Sequence, residues 1–353
     1  MSIVSRARPE IRALKAYQAA EQVDDTIRLN ANESPSTCST GHYRRPLNRY
    51  PEVRPLALQA ALAKRFGSRA EQVLVTRGSS EAIDLITRAF CRAGQDNVVL
   101  PSPTFSMYAH YAEVQGAEII QVPSGSEQEF RVDVDALLGA CNDATRAIFV
   151  CSPNNPTGAT IPRDDLLNLI EARKNLSAVV IDEAYVEFGR EASVVDLVDA
   201  HPNLLVLRTL SKALGFAGAR CGAVVGSPDV LALLGAIQAP YALSTPVIEC
   251  VEDGLQADRL EVADRAIQEL ITEREKLIRA VATFPFVVKV WPSDANFFLV
   301  RVSDARRIME HCTAHKVLLR HFGGELDDCI RISVGSRAEN AQLLQVLTSL
   351  EDD

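Results

Sequence analysis

Seven short segments rich in Val, Ile and Leu punctuate residues 73–225, separated by stretches long enough to form amphipathic helices. They are Val73–Thr76, Asn97–Leu100, Glu118–Val122, Ala147–Cys151, Ala178–Ile181, Leu204–Leu207 and Cys221–Val225. Helices are expected among them at Ser80–Arg92 and Pro162–Lys174, and just after the last of them at Pro228–Ala236. Strands that lack polar alternation must be covered on both faces. A chain alternating such strands with helices folds as a mostly parallel sheet between two helical layers, an α/β architecture. Ligands of these sheets bind beyond the carboxyl ends of the strands, so the loops there are where chemistry is expected.

After Pro246 the period changes. Residues 247–283 read as one long helix, with Val262, Ala266, Leu270, Leu277 and Val281 on roughly one face. Shorter strands follow at Val287–Val290, Asn296–Val302 and Cys329–Val334, with helices near 304–315 and 337–350. The expected organisation is a large α/β domain at 30–245 and a small α+β domain formed by 246–353 with 1–29. The first 30 residues are expected to pack on the small domain or on a partner subunit. Two domains also suit the 353-residue length.

With 37 Lys+Arg against 46 Asp+Glu, the net charge of −9 argues against a broad nucleic-acid-binding face. No apolar run approaches the ~18 residues of a membrane span. Residues 1–18 lack the apolar centre of a secretory signal. The eight cysteines include no C-x-x-C pair, which reads as reduced thiols rather than disulfides or a zinc site. The expectation is a cytoplasmic protein with no metal, nucleic-acid or membrane partner.

Four strand-end loops carry chemistry-bearing residues. Arg77-Gly78-Ser79-Ser80-Glu81 ends a strand and opens a helix, where free N–H groups and the helix dipole favour an anion. Its bland alternative is a helix cap alone. Ser152–Gly158 holds two prolines and the pair Asn154-Asn155, which also suit a plain turn. At Val180–Tyr185 an apolar strand delivers Asp182, a carboxylate that is costly to bury without a cation or donors. In Thr209–Leu214, Lys212 read alone is a surface lysine, but Arg220 follows eight residues later across a small, glycine-containing segment. Gathered at one sheet edge, the set suits a lysine that forms a Schiff base with pyridoxal phosphate, an acid facing the ring nitrogen, and an anion cradle. Arg220 and the Ser79–Ser80 helix start would hold the phosphate.

These strings resemble the fold-type I pyridoxal-phosphate aminotransferases, and among them the histidinol-phosphate aminotransferases. The resemblance is carried by Leu29–Glu33, Arg49–Glu52, Thr76–Gly78, Ser152–Gly158, Asp182–Tyr185, Arg208–Lys212, Gly218–Gly222 and Ile330–Gly335, in family order. It implies a seven-stranded, mostly parallel sheet plus a smaller domain, with Lys212 and Asp182 catalytic. It implies that Asn155 and Tyr185 meet the cofactor's ring hydroxyl and that Ser79, Ser80, Ser211 and Arg220 bind its phosphate. Phe105 occupies the position of the ring-stacking aromatic, usually Tyr in this family. Tyr50 would reach the cofactor of a neighbouring subunit, which implies a homodimer with shared sites. Arg331 would take the carboxylate of L-glutamate or 2-oxoglutarate, and Tyr17, Arg320 and Arg331 the phosphate of histidinol phosphate or imidazole-acetol phosphate. The implied reaction is ping-pong transamination through pyridoxamine phosphate, within histidine biosynthesis.

Rival readings are an aromatic-amino-acid aminotransferase, a threonine-phosphate decarboxylase, and a protein of this fold that binds without turnover. Two motifs are set aside. His311 and His315 share a helical face but lack further convergent ligands. Gly215–Gly222 does not spell G-x-G-x-x-G and follows the lysine loop instead of a first strand.

Overall fold

The computed structural model describes residues 3–17, 20–22, 26–125 and 129–350. Seven strands form the main sheet: β1 (Val73–Thr76), β2 (Asn97–Ser102), β3 (Glu118–Pro123), β4 (Thr145–Cys151), β5 (Ala178–Asp182), β6 (Leu204–Thr209) and β7 (Gly222–Gly226). Their spatial order is β1-β7-β6-β5-β4-β2-β3. All pair in parallel except β7, which runs antiparallel to both β1 and β6. Eight helices belong to the same part of the chain: α1 (Pro9–Arg12), α2 (Leu56–Phe66), α3 (Gly78–Phe90), α4 (Met107–Gln115), α5 (Val134–Ala140), α6 (Arg163–Ala172), α7 (Pro228–Ile237) and α8 (Thr245–Gly254).

The apolar strands divide their side chains between two cores, as a period of two requires. Phe149, Cys151, Val180, Leu205 and Leu207 enter one core with Ile83, Ile86 and Phe90 of α3, Tyr108 of α4 and Leu234 of α7. Ile148, Val150, Val179, Ile181 and Val206 enter the other with Leu58 and Leu62 of α2, Leu137 of α5, Leu169 of α6 and Ile248 of α8. Both sheet faces are therefore dry, which explains why the strands carry no polar alternation.

The long helix expected over 247–283 is two, α8 and α9 (Ala257–Val281), because Gln256 adopts an extended conformation between them. Gly254 ends α8 where a side chain would collide with the Phe216 ring. A second sheet, ordered β10-β11-β9-β8, is wholly antiparallel. It comprises β8 (Val287–Val290), β9 (Phe297–Val302), β10 (Arg320–His321) and β11 (Cys329–Ser333), with α10 (Ala305–Ala314) and α11 (Arg337–Ser349) packed against it. The N-terminal residues depart from expectation. Ile3 and Ala7 are buried among side chains of α3 and α7, and the Arg8 N–H donates to the Ala89 carbonyl. The described start of the chain thus packs on the larger sheet's helical layer.

Candidate active site

The carboxyl ends of β2, β4, β5 and β6 open on one cleft of about 930 Å³, the size of a cofactor site. Because β7 is antiparallel, its amino end, preceded by Arg220, reaches the same edge. Ser79, Ser80, Phe105, Asn155, Asp182, Tyr185, Ser211, Lys212, Arg220, Arg320 and Arg331 all line this cleft. Tyr17 and Tyr50 do not. They lie 56% and 50% exposed, grouped around Tyr241, with the Tyr50 and Tyr241 rings stacked at 4.6 Å.

Asp182 ends β5 and shares a sheet face with Val180, which aims it toward α4. It is 2% exposed. The Tyr108 hydroxyl donates to Oδ2 at 2.8 Å and the Ala184 N–H to Oδ1 at 3.1 Å. Burial pushes its pKa up to about 6, against the opposing pull of these two donors and of Lys212. A carboxylate so placed faces the cleft with two donors and, among the described residues, no contacting cation. A cationic ring nitrogen would complete it.

Lys212 follows β6 and opens onto the cleft, its Nζ 5.5 Å from the centre of the Tyr185 ring. Desolvation, then Arg331 and Arg220, hold its pKa below the ordinary lysine value, with Asp182 opposing. That raises the fraction of neutral, nucleophilic amine.

The anion cradle is built from backbone as much as from side chains. The Glu81 carboxylate accepts from the Arg77 N–H at 2.7 Å, leaving the first-turn N–H groups of α3 at Gly78, Ser79 and Ser80 without intrahelical partners. Gly78 has φ +75°, and a Cβ there would stand 2.9 Å from Nη2 of Arg220. Arg220 itself sits in the left-handed region at φ 55° and donates to Ser211 Oγ at 3.2 Å. A helix start, two serines, a third hydroxyl and a guanidinium converge as a phosphate requires.

The strand β10 pairs Arg320 directly opposite Arg331 of β11. Like charges facing each other across a ladder destabilise it unless an anion bridges them. Phe322 lies beneath both guanidinium groups, at 5.4 and 5.6 Å from its ring centre. Arg331 donates to Asn155 Oδ1, while its buried Nε has no partner among the described residues. Burial, then the Arg320 charge, lower the Arg331 pKa, with Tyr185 opposing.

The two asparagines of Ser152–Gly158 divide their work. Asn154 ties this loop to the one after β2, donating to the Pro103 carbonyl at 2.9 Å and accepting from Thr104 Oγ1 at 2.8 Å. Asn155 faces the cleft. Gly158, at φ +76°, leaves room for Ser293 of the smaller domain, and its carbonyl accepts from the Asp294 N–H at 2.9 Å. Two residues, one behind Asp182 and one in the aromatic group outside the cleft, carried no usable sequence signal. Tyr108 lies on a helix that the pattern did not announce, and Tyr241 follows α7 in an irregular stretch. His311 is spent structurally, its Nε2 3.0 Å from the Val346 carbonyl.

The profile of the family "Aminotransferase class I and II" matches residues 21–347. The histidinol-phosphate aminotransferase of Aeromonas hydrophila is 39% identical over 99% of both chains. Among solved structures, the histidinol-phosphate aminotransferase of Sinorhizobium meliloti in complex with pyridoxal-5'-phosphate has TM-score 0.78 and 24% identity, over 86% of this chain and 84% of that one. The L-threonine-O-3-phosphate decarboxylase of Porphyromonas gingivalis has TM-score 0.74 and 24% identity, over 87% of this chain and 92% of that one. At such identities the two structures establish the fold, whereas the full-length sequence match reaches further. The chain belongs to the class I and II aminotransferases and, among them, to the histidinol-phosphate aminotransferase family.

Proposed function

We propose that this chain moves the amino group of L-glutamate to imidazole-acetol phosphate, yielding 2-oxoglutarate and histidinol phosphate in histidine biosynthesis, with pyridoxal phosphate as cofactor. The single observation that carries this reading is the Arg320–Arg331 pair, set across one ladder in the cleft that holds Lys212. Alternating substrates must use one site, and guanidinium forks match both a carboxylate and a phosphate ester. The full-length relatives bearing the histidinol-phosphate name support it.

When bound, the cofactor supplies an aldehyde carbon that accepts amines and a ring that withdraws electrons from the substrate's α-carbon. In this reading Lys212 would hold the aldehyde carbon until the substrate amine displaces it, and the freed amine of lowered pKa would then move the proton between the substrate α-carbon and the cofactor. Asp182 keeps the ring nitrogen protonated. Asn155 and Tyr185 hold the ring hydroxyl, Phe105 lies against the ring, and Ser79, Ser80, Ser211 and Arg220 hold the phosphate. Arg331 takes the substrate carboxylate and Arg320 joins it on the substrate phosphate, whereas Tyr17 stands outside this cleft and would meet a substrate phosphate only at the site of a second copy.

Tyr50 acts on the site of a second copy. Tyr17 and Tyr50 stand outside their own cleft, and Ile27, Leu29 and Leu56 nearby in sequence are 89%, 90% and 67% exposed. An exposed apolar segment carrying two half-exposed tyrosines supports a homodimer with shared sites. We assign 30–245 to the cofactor-binding domain, with the described N-terminal residues packed on its helical layer, and 246–353 to the smaller domain, in a cytoplasmic enzyme. Among the described residues no helix is long and apolar enough to cross a membrane.

Steady-state assays with histidinol phosphate, phenylalanine and L-threonine O-phosphate test the reading. Preference for histidinol phosphate with 2-oxoglutarate is expected. Carbon dioxide release from L-threonine O-phosphate without amino transfer would overturn it in favour of the decarboxylase, and preference for phenylalanine in favour of the aromatic enzyme.

A further inference from the structure

We infer that Tyr108 is a positioning residue for the cofactor's ring nitrogen, its hydroxyl holding the Asp182 carboxylate ionised and in one orientation. The inference rests on the proposed role of Asp182. Tyr108 is wholly buried, and its hydroxyl stands 2.8 Å from Asp182 Oδ2. The ring cannot swing away. It stacks on Phe149 at 5.3 Å with 12° between planes, and Phe105 closes its edge at 5.6 Å and 86°.

The groups facing Asp182 are few. They are Tyr108 from α4, Cys151 from the neighbouring strand β4, Tyr185 from the turn after β5, and Lys212 from the loop after β6. The Cys151 thiol donates to the Pro153 carbonyl at 3.1 Å, and Ala184 supplies a backbone N–H to the other carboxylate oxygen. Tyr108 is thus the side-chain donor dedicated to the oxygen that Ala184 does not bind. Burial and the Asp182 charge raise its own pKa well above the ordinary tyrosine value, so it remains protonated and keeps an O–H to donate to the carboxylate.

A phenyl ring would fill the same space, so packing alone does not call for the hydroxyl. What the hydroxyl adds is stabilisation of the charged carboxylate over the neutral acid. Without it the proton shared by Asp182 and a ring nitrogen shifts toward the carboxylate, and the ring loses cationic character. Hydrogen bonds to charged groups are strong enough that losing one costs about tenfold or more in binding.

The test measures pyridoxal-phosphate binding to cofactor-free wild-type protein and to Tyr108→Phe across pH 5 to 8, with thermal unfolding as the fold control. Wild-type affinity is expected to weaken as pH falls through the Asp182 pKa of about 6. In Tyr108→Phe the affinity is expected to drop about tenfold at pH 7 and the midpoint to rise by about one pH unit, with kcat falling more than KM changes. Site-specific 3-fluorotyrosine at position 108, a stronger donor of nearly the same shape, keeps the test open if Tyr108→Phe does not fold. It is expected to move the midpoint downward. Unchanged affinity and midpoint in folded Tyr108→Phe, or an unmoved midpoint with 3-fluorotyrosine, overturns the inference. If the wild-type protein itself fails to bind pyridoxal phosphate, the functional reading falls and takes this inference with it.

Discussion

Asp182→Asn is expected to make the cofactor-free protein more stable at neutral pH while removing its activity. The Asp182 pKa stands at about 6 in the folded chain, against an ordinary value of 3.8. Folding therefore disfavours ionisation. The penalty is absent below the unfolded pKa, grows as pH rises between the two values, and is complete above the folded one. At 1.36 kcal/mol per unit it reaches about 3 kcal/mol at pH 7.5 and only about 1 kcal/mol at pH 4.5. Asparagine never ionises and escapes this cost. It still accepts from Tyr108, but its amide cannot accept from the Ala184 N–H, a loss of about 1 kcal/mol. The net gain is about 2 kcal/mol at pH 7.5 and about zero at pH 4.5. With roughly 2.1 cal/mol/K of unfolding entropy per residue over 353 residues, 2 kcal/mol raises Tm by about 3 °C. Thermal unfolding of both cofactor-free proteins at the two pH values is the assay. Added pyridoxal phosphate should reverse the order, because only the aspartate pairs with a ring cation. A variant no more stable than wild type at pH 7.5, or equally stabilised at both pH values, would refute the reasoning.

Lys212→Ala should fold normally and lose transamination entirely, as circular dichroism and an assay with glutamate would record; near-normal turnover would sink the mechanism. Arg320→Ala should raise KM for the phosphate substrate by roughly tenfold or more and leave glutamate nearly unaffected, whereas Arg331→Ala should harm both. Equal losses on both substrates in Arg320→Ala would refute the clamp. Gly78→Ala places a Cβ 2.9 Å from Arg220 Nη2 at a φ of +75°, and should cost about 1–2 kcal/mol of stability and weaken cofactor binding, measured by denaturation and by titration with pyridoxal phosphate.

What the sequence made legible follows from how each feature is encoded. Strands buried on both faces must be uninterrupted runs of Val, Ile and Leu, so β4 to β6 declare themselves, and Asp182 stands out because it ends such a run. The loops after them are read equally well, because their chemistry is contiguous in the chain. Contacts between distant segments are not. Tyr108 and Asp182 lie 74 residues apart, and α4 buries only Tyr108 and Ala112, too narrow an apolar stripe to reveal a helix. The Arg320–Arg331 pairing depends on β10, which has two residues and hence no pattern at all. The N-terminal segment misleads for a related reason. Ile3 and Ala7 are isolated apolar residues, and nothing in their spacing says which helical layer they enter.

Reduction with borohydride in the presence of pyridoxal phosphate, followed by tryptic mapping, reaches the centre of the account. A pyridoxyl group is expected on Lys212 alone, blocking cleavage there and yielding the peptide Thr209–Arg220 intact. A label on another lysine, or none on this peptide, would contradict it.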